Sequence, residues 1–136
     1  MEDKKFEILD HTADVRLRAY GKDKKELFGN ALLGMMSVLV PIKVGTFTTT
    51  REIEIEAIDE NALLVDFLSE ALYYSQMEDE TFLEVNFDEF GETKIIARIK
   101  CAKVEGFEKE IKAVSYQDVE IKGTKDGWEA TMIFDV

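Results

Sequence analysis

The sequence predicts an α+β domain in which a mostly antiparallel sheet carries two main helices packed on one face. Three observations predict this fold class. Several segments alternate apolar and polar residues with the period of two that is typical of half-buried strands. Two longer segments carry the broad apolar stripe of an amphipathic helix. Short turns join strands as hairpins rather than through regular strand–helix–strand crossovers, which favours antiparallel pairing.

The first third of the chain predicts one strand and one helix. Residues 15–20 alternate apolar and polar side chains, and Gly21 ends this strand. Asp23, followed three residues later by Glu26, resembles a capping box, which marks the start of a helix. The apolar stripe that follows predicts a first helix that ends before Pro41.

Two glycines interrupt this first predicted helix. Gly29 and Gly34 each lower the helix propensity by about 1 kcal/mol relative to alanine. Because a residue without a side chain lets two backbones come close, we expect both glycines to allow the helix to approach the sheet.

The middle of the chain predicts a second strand and a second helix. Residues 52–58 place glutamates on one face and apolar side chains on the other, which is typical of a strand with one face in water. Asp59 and Asn61 are residues that cap the start of a helix. The core side of this helix is expected to contain Leu64, Phe67, Leu68, Ala71, Leu72 and Ser75.

The last part of the chain predicts a hairpin and further strands. Residues 83–87 and 95–101 alternate again, and a turn at residues 89–92 joins them. Across residues 113–121 the apolar positions change parity, which predicts a strand with a β-bulge. The alternation that starts at Trp128 continues to the end of the sequence, so we expect the last residue to belong to a strand.

Length and composition predict one compact domain that spans residues 1–136. The 136 residues and the hydrophobic content of 46% suit a single core. No apolar run approaches the roughly 20 residues of a membrane-spanning helix, and the charged N-terminus leads into no apolar signal segment. We therefore expect a soluble cytoplasmic protein that makes no membrane contact.

Charge and rare residues limit the classes of ligand. The net charge of −12 disfavours direct RNA or DNA binding, because nucleic-acid binders use Lys and Arg to displace counterions. Such a surface suits divalent cations or the basic face of another protein. Cys101 is the single cysteine and His11 the single histidine, which excludes an internal disulfide and the usual nitrogen-and-sulfur metal sites.

Two acidic segments are candidates for a shared site. Asp14 ends a short polar segment where the first strands meet, and Asp135 with the terminal carboxylate of Val136 follows the last apolar strand. If the two segments lie together, each carboxylate pair would repel by up to about 4 kcal/mol at 4 Å and an effective dielectric near 20. A cation would relieve that repulsion, and oxygen ligands select calcium, magnesium or manganese.

The residues alone leave simpler alternatives open. A neighbouring Lys or Arg, or separation in space, would also remove the repulsion between the carboxylates. In the same way, Asp14 can be a turn residue and His11 a hydrogen-bonded histidine without a chemical role.

Several short motifs, read together, resemble the archease family. They are His11–Asp14, Arg18–Gly21, Glu26–Phe28, Leu64–Leu68, Lys112–Tyr116 and the final segment from Gly127 to Val136. They occur in order over essentially the whole chain, which makes the resemblance specific. By this resemblance residues 1–136 form a single archease-like domain.

The resemblance implies a function that the spacing alone does not reveal. Archeases are small cytoplasmic proteins that activate the GTP-dependent RNA-splicing ligase of the RtcB type, which joins RNA ends in tRNA splicing and repair. They promote guanylylation of the ligase and restore its turnover, and they are not themselves enzymes. The resemblance implies that Asp14, Asp135 and the carboxylate of Val136 bind a divalent cation, calcium in crystals of relatives. It also implies that Lys112 supports activation and that His11 belongs to the family signature.

Two positions depart from the family pattern. Ser115 stands where relatives often have threonine, which is a mild change. Gln117 stands where many relatives have histidine, which argues against a function that requires an imidazole there.

Two other functions compete with ligase activation. One is a stand-alone metal-dependent hydrolase, for which His11 is the only imidazole that can act as a base. The other is a chaperone-like binding module for RNA-modifying enzymes, in which a bound ion has a structural role.

Overall fold

The structure, a computed structural model, describes residues 4–10 and 14–136. Within these residues the chain forms strands and two long helices. They are β1 (Phe6–Asp10), β2 (Val15–Gly21), α1 (Lys24–Leu39), β3 (Pro41–Ile42), β4 (Thr48–Glu56), α2 (Glu60–Glu78), β5 (Glu80–Phe90), β6 (Lys94–Lys103), β7 (Gly106–Phe107), β8 (Ala113–Val114), β9 (Glu120–Thr124) and β10 (Gly127–Asp135). The α+β class and the antiparallel pairing are confirmed.

The described strands form three antiparallel sheets instead of one. The largest has the order β1-β2-β10-β8, and β9 also pairs with β10. A second sheet has the order β4-β6-β5, and β3 pairs with β7 in a short third sheet. α1 contacts β1, β2 and β10 of the five-stranded sheet and also β5, while α2 contacts strands of both larger sheets. The helices therefore share one core with both sheets.

Both helices start where the sequence predicts. The Asp23 side chain accepts a hydrogen bond of 2.8 Å from the Glu26 backbone N–H, and Asp59 caps α2 through Ala62 in the same way. These bonds satisfy backbone donors that have no partner within the helix. α1 ends at Leu39, as the sequence predicts.

The apolar stripes of the helices form the core as expected. The side chains that the sequence places on the inner side of α2, including Phe67 and Ser75, are all buried. A Cβ atom at Gly34 would lie 2.8 Å from the Leu17 side chain, and one at Gly29 would lie 3.0 Å from Val85. The two glycines therefore allow α1 to approach both sheets, which confirms their predicted role.

Three predictions on the strands need correction. Residues 113–121 form two short strands, β8 and β9, rather than one bulged strand, because the backbone turns through a left-handed conformation at Asp118 (φ 63°). A bulge between Phe82 and Glu84 shifts the parity of β5, so that Phe82 is buried and Leu83 is 40% exposed. The last strand ends at Asp135, so Val136 lies beyond the strand.

A buried ion pair joins β4 to the start of β5. Arg51 donates two hydrogen bonds to the Glu80 carboxylate, at 3.2 and 3.0 Å, and its guanidinium lies 4.2 Å from the ring centroid of Tyr74. Glu80 is only 6% exposed. Burial alone would raise the pKa of Glu80. The hydrogen bonds and charge of Arg51, together with Cys101 and the charge of Lys103, outweigh this effect and leave the pKa below its ordinary value.

Cys101 lies beside this pair and is expected to be unreactive. Burial and the nearby Glu80 carboxylate raise the pKa of the Cys101 thiol to about 12, and the residue is 1% exposed. Because only the thiolate attacks disulfide reagents, we expect no reaction with a chromogenic disulfide at neutral pH until the protein is unfolded. Fast stoichiometric labelling of the native protein would contradict this burial.

In the described part of the chain, neither helix is long and apolar enough to cross a membrane.

Candidate functional site

The candidate site lies at the C-terminal end of β10, which is paired on both sides. Phe134 of β10 is opposite Val15 of β2 on one side and opposite Val114 of β8 on the other. Asp14 immediately precedes Val15, and Asp135 immediately follows Phe134. The antiparallel register therefore brings the two aspartates to the same end of two adjacent strands.

Strand parity places these two aspartates on the same face of the sheet. Arg16 is opposite Ile133 in the ladder, and side chains two residues apart on a strand share a face. Asp14 is therefore on the face of Arg16, and Asp135 on the face of Ile133, which is the same face. Asp14 is half-buried and Asp135 is exposed.

Lys112 approaches the same end of β10 from the other side. Its backbone N–H donates a hydrogen bond of 2.7 Å to the Asp135 carbonyl oxygen, and Ala113 is the next residue and pairs with Asp135. The Ser115 N–H donates to the Ile133 carbonyl at 2.9 Å. The Lys112 side chain is exposed, and its backbone is fixed beside Asp135.

Two contacts that the sequence did not predict hold the Lys112 segment against α2. The Gln76 side-chain amide donates to the Ile111 carbonyl and accepts from the Ile111 N–H, both at 3.2 Å. Four residues beyond Lys112, the Tyr116 hydroxyl donates a hydrogen bond to Asp66. The Lys112 segment is therefore tied to α2 on both sides of the lysine.

The Tyr116 contact joins two of the motifs that resemble the archease family. Asp66 belongs to the motif in α2, and Tyr116 ends the motif that begins at Lys112. The hydrogen bond to Asp66, together with partial burial, raises the pKa of Tyr116, so its hydroxyl remains a donor at neutral pH. The two family-like motifs were the only signal in the sequence for the contact between Tyr116 and Asp66. No signal in the sequence pointed to the contact between Gln76 and Ile111.

The remaining predicted residues are placed differently. Val136 follows β10 and is 43% exposed. His11 lies outside the described residues. Among the residues that the structure describes, no group of three or more His, Cys, Asp or Glu side chains is arranged to hold a metal ion. The predicted set contains only two side-chain carboxylates, and its third ligand is a main-chain carboxylate.

The chemistry of this donor set fits a hard divalent cation. Both side chains that the register brings together are carboxylates, and their oxygens are the ligands that calcium and magnesium prefer. Ligation by Asp14, Asp135 and Val136 stays a prediction.

Comparison with known proteins supports the resemblance seen in the sequence. The chain matches the Archease protein family (MTH1598/TM1083) over residues 6–136. It is 42% identical to the protein archease of Methanosarcina barkeri, over 98% of this chain and 97% of that protein. It is 34% identical to the protein archease of Thermococcus gammatolerans, over 98% of this chain and 99% of that protein.

Solved structures share the fold. The solution structure of protein 1598 of Methanobacterium thermoautotrophicum matches with a TM-score of 0.72 and 30% identity, over 96% of this chain and 98% of that one. The crystal structure of an archease from Thermotoga maritima, described as a possible chaperone, matches with a TM-score of 0.65, over 100% of this chain and 98% of that one. At 17% identity, this second match supports the fold alone. The family match over residues 6–136 and the nearly full-length relatives show that the chain belongs to the archease family.

Proposed function

We propose that this protein activates a GTP-dependent RNA ligase of the RtcB type in the cytoplasm, without being an enzyme itself. In this role Asp14, Asp135 and the carboxylate of Val136 bind a divalent cation, with calcium as the first choice and magnesium or manganese as alternatives. One observation carries the proposal: β10 pairs with β2 and β8, so that its last residues lie between Asp14 and Lys112.

The chain's own residues then have separate tasks. The carboxylates of Asp14 and Asp135 bind and orient the cation, which supplies positive charge toward phosphate oxygens when it is bound. Lys112, whose backbone is hydrogen-bonded to that of Asp135, adds a second positive charge at this end of β10 and offsets phosphate charge on GTP or on the guanylylated ligase. Gln76 and Asp66 belong to α2, and their hydrogen bonds hold the segment around Lys112 against this helix.

The charge of the whole chain supports docking to a ligase. A ligase that binds RNA needs a basic channel, because Lys and Arg neutralise the phosphate backbone. A partner with a net charge of −12 is attracted to the rim of such a channel and has little affinity for free RNA. The same argument predicts no direct nucleic-acid binding by the isolated protein.

A ligation assay with purified RtcB-type ligase tests the proposed function. We expect the protein to accelerate guanylylation of the ligase and to raise the number of ligations per enzyme, and we expect chelation of divalent cations from the protein to reduce that effect. Unchanged ligase kinetics would contradict the proposal. Stimulation that survives chelation would favour the chaperone-like module, and phosphoester hydrolysis by the protein alone would favour the hydrolase.

Lys112→Ala should lower the stimulation of guanylylation by about tenfold or more, because one charge-assisted contact to phosphate is worth about 1.5–3 kcal/mol. Lys109→Ala is the matched control, since Lys109 is also exposed and lies three residues away on the same segment. The measurement is the rate of guanylylation at a fixed ligase concentration. Equal effects of the two substitutions would remove Lys112 from the mechanism.

A further inference from the structure

A cavity of about 360 Å³ opens on the outer face of the five-stranded sheet. Arg16 and Arg18 of β2 line it together with Thr131 of β10, Lys122 of β9 and Asp118 in the segment before β9. Between the two arginines, Leu17 is fully buried on the opposite face, where α1 packs. The cavity therefore lies outside the apolar core, on the face that carries the charged side chains of β2.

Arg16 is held against the sheet without an acceptor for its Nε atom. Its Nε is inaccessible to solvent and has no hydrogen-bond partner among the described residues. A guanidinium is charged at every physiological pH. Its buried Nε–H is therefore a strong donor that lacks an acceptor oxygen in the described part of the chain.

The other two cations of the cavity already have acidic partners. Arg18 lies 3.7 Å from Glu7 and donates a long hydrogen bond of 3.4 Å to the Thr131 hydroxyl. Lys122 lies 3.3 Å from Glu129. No ion pair of Arg16 is found among the described residues, and its Nε–H is a donor at this cavity without an acceptor.

We propose that this cavity binds the phosphate group of a small phosphorylated molecule, with Arg16 as the main ligand and Arg18 as the second. Two guanidinium groups on one strand face can donate to different oxygens of one tetrahedral anion, and the planar fork of arginine matches phosphate oxygens. The Thr131 hydroxyl, which accepts the hydrogen bond from Arg18, also lines the cavity.

The acidic side chains of the cavity argue against a longer polyanion. Asp118, Glu120 and Glu129 are among the residues that line it, and the whole chain has a charge of −12. Adjacent phosphates of RNA or DNA would meet these carboxylates, whereas one phosphate group can reach the arginines alone. The site goes beyond the proposed function, because it does not require the cation or the ligase.

Titration with inorganic phosphate, followed by NMR in the presence of a chelator, tests this site. Chloride keeps the ionic strength constant. We expect saturable shifts of the Arg16 and Arg18 Nε–H signals and of the backbone amides of residues 118–120. The affinity should fall by about tenfold in Arg16→Gln, because charge-assisted hydrogen bonds to phosphate are lost.

Arg98→Gln is the matched control, since Arg98 is exposed, pairs with Asp88 and belongs to the other large sheet. It should bind phosphate as the wild-type protein does. Arg18→Gln is a second variant, expected to weaken binding less than Arg16→Gln, which keeps the test valid if one arginine is needed for folding. The proposal is overturned if the wild-type signals show no saturable shift, or if Arg16→Gln binds phosphate as well as Arg98→Gln does. Because the chelator removes divalent cations, either result is independent of the proposed function.

Discussion

Replacement of either aspartate, in Asp14→Asn or Asp135→Asn, is expected to reduce guanylylation in the presence of the protein to the rate of the ligase alone. Each substitution removes one charged oxygen ligand from a site with few ligands. Even the loss of a group that only supports a ligand lowers metal affinity by about 10–100-fold, so loss of a ligand should have at least this effect. The measurement is the guanylylation rate at calcium or magnesium concentrations that saturate the wild-type protein.

Asp126→Asn is the matched control for these variants. It makes the same chemical change in the turn at the opposite end of β10, and Asp126 is exposed. We expect this variant to stimulate the ligase normally, and Asp126→Asn and Asp135→Asn to melt at the wild-type temperature in the presence of a chelator. Full stimulation by Asp14→Asn or Asp135→Asn would remove the carboxylates from the mechanism.

A chain that ends at Asp135, and so lacks Val136, is expected to stimulate the ligase less than the wild-type chain.

The largest expected change in stability comes from Arg51. Arg51→Met should lower the free energy of unfolding by about 3 kcal/mol at pH 7, because it leaves the buried Glu80 carboxylate without its bidentate partner. The stacking of Arg51 on Tyr74 is lost as well. Urea unfolding followed by circular dichroism measures the change.

Arg98→Met is the control, since it breaks an exposed ion pair with Asp88 on the neighbouring strand. We expect this variant to lose less than about 1 kcal/mol, which is the usual value of an exposed pair. If the two variants were equally stable, the Arg51 to Glu80 pair would have no special role in the fold.

The pH dependence of these variants gives a separate check. Arg51 lowers the pKa of Glu80 in the folded state, so the pair stabilises the protein above the ordinary pKa of glutamate, 4.5. This stabilisation is lost as the pH falls through the lowered folded pKa. The stability difference between the wild-type protein and Arg51→Met should therefore be larger near neutral pH than in acid.

The helices and their ends could be predicted because their signals are local. Asp23 and Asp59 cap the helices through residues three positions away, and the apolar stripes have a fixed period. The position of β10 beside β2 had no local signal. It was predicted from the acidic residues Asp14 and Asp135, near the two ends of the sequence, and from the archease resemblance. The register confirms that these two segments are neighbours.

The missed features depend on contacts between distant parts of the chain. Gln76 binds the backbone of Ile111, which is 35 residues away, and a lone glutamine in a helix gives no sign of such a partner. The division of residues 113–121 into two strands depends on one left-handed residue, Asp118, that is not a glycine. Arg16 is an ordinary polar position in an alternating strand until β9 and the segment before it close the cavity around it.

A calorimetric titration with calcium tests the central claim most directly. The wild-type protein is expected to show one saturable site, and the double variant Asp14→Asn/Asp135→Asn is expected to show none, while Asp126→Asn binds as the wild-type protein does. A wild-type protein that shows no saturable calcium, magnesium or manganese binding, or a double variant that still binds the ion as tightly, would contradict the claim that the end of β10 forms a cation site.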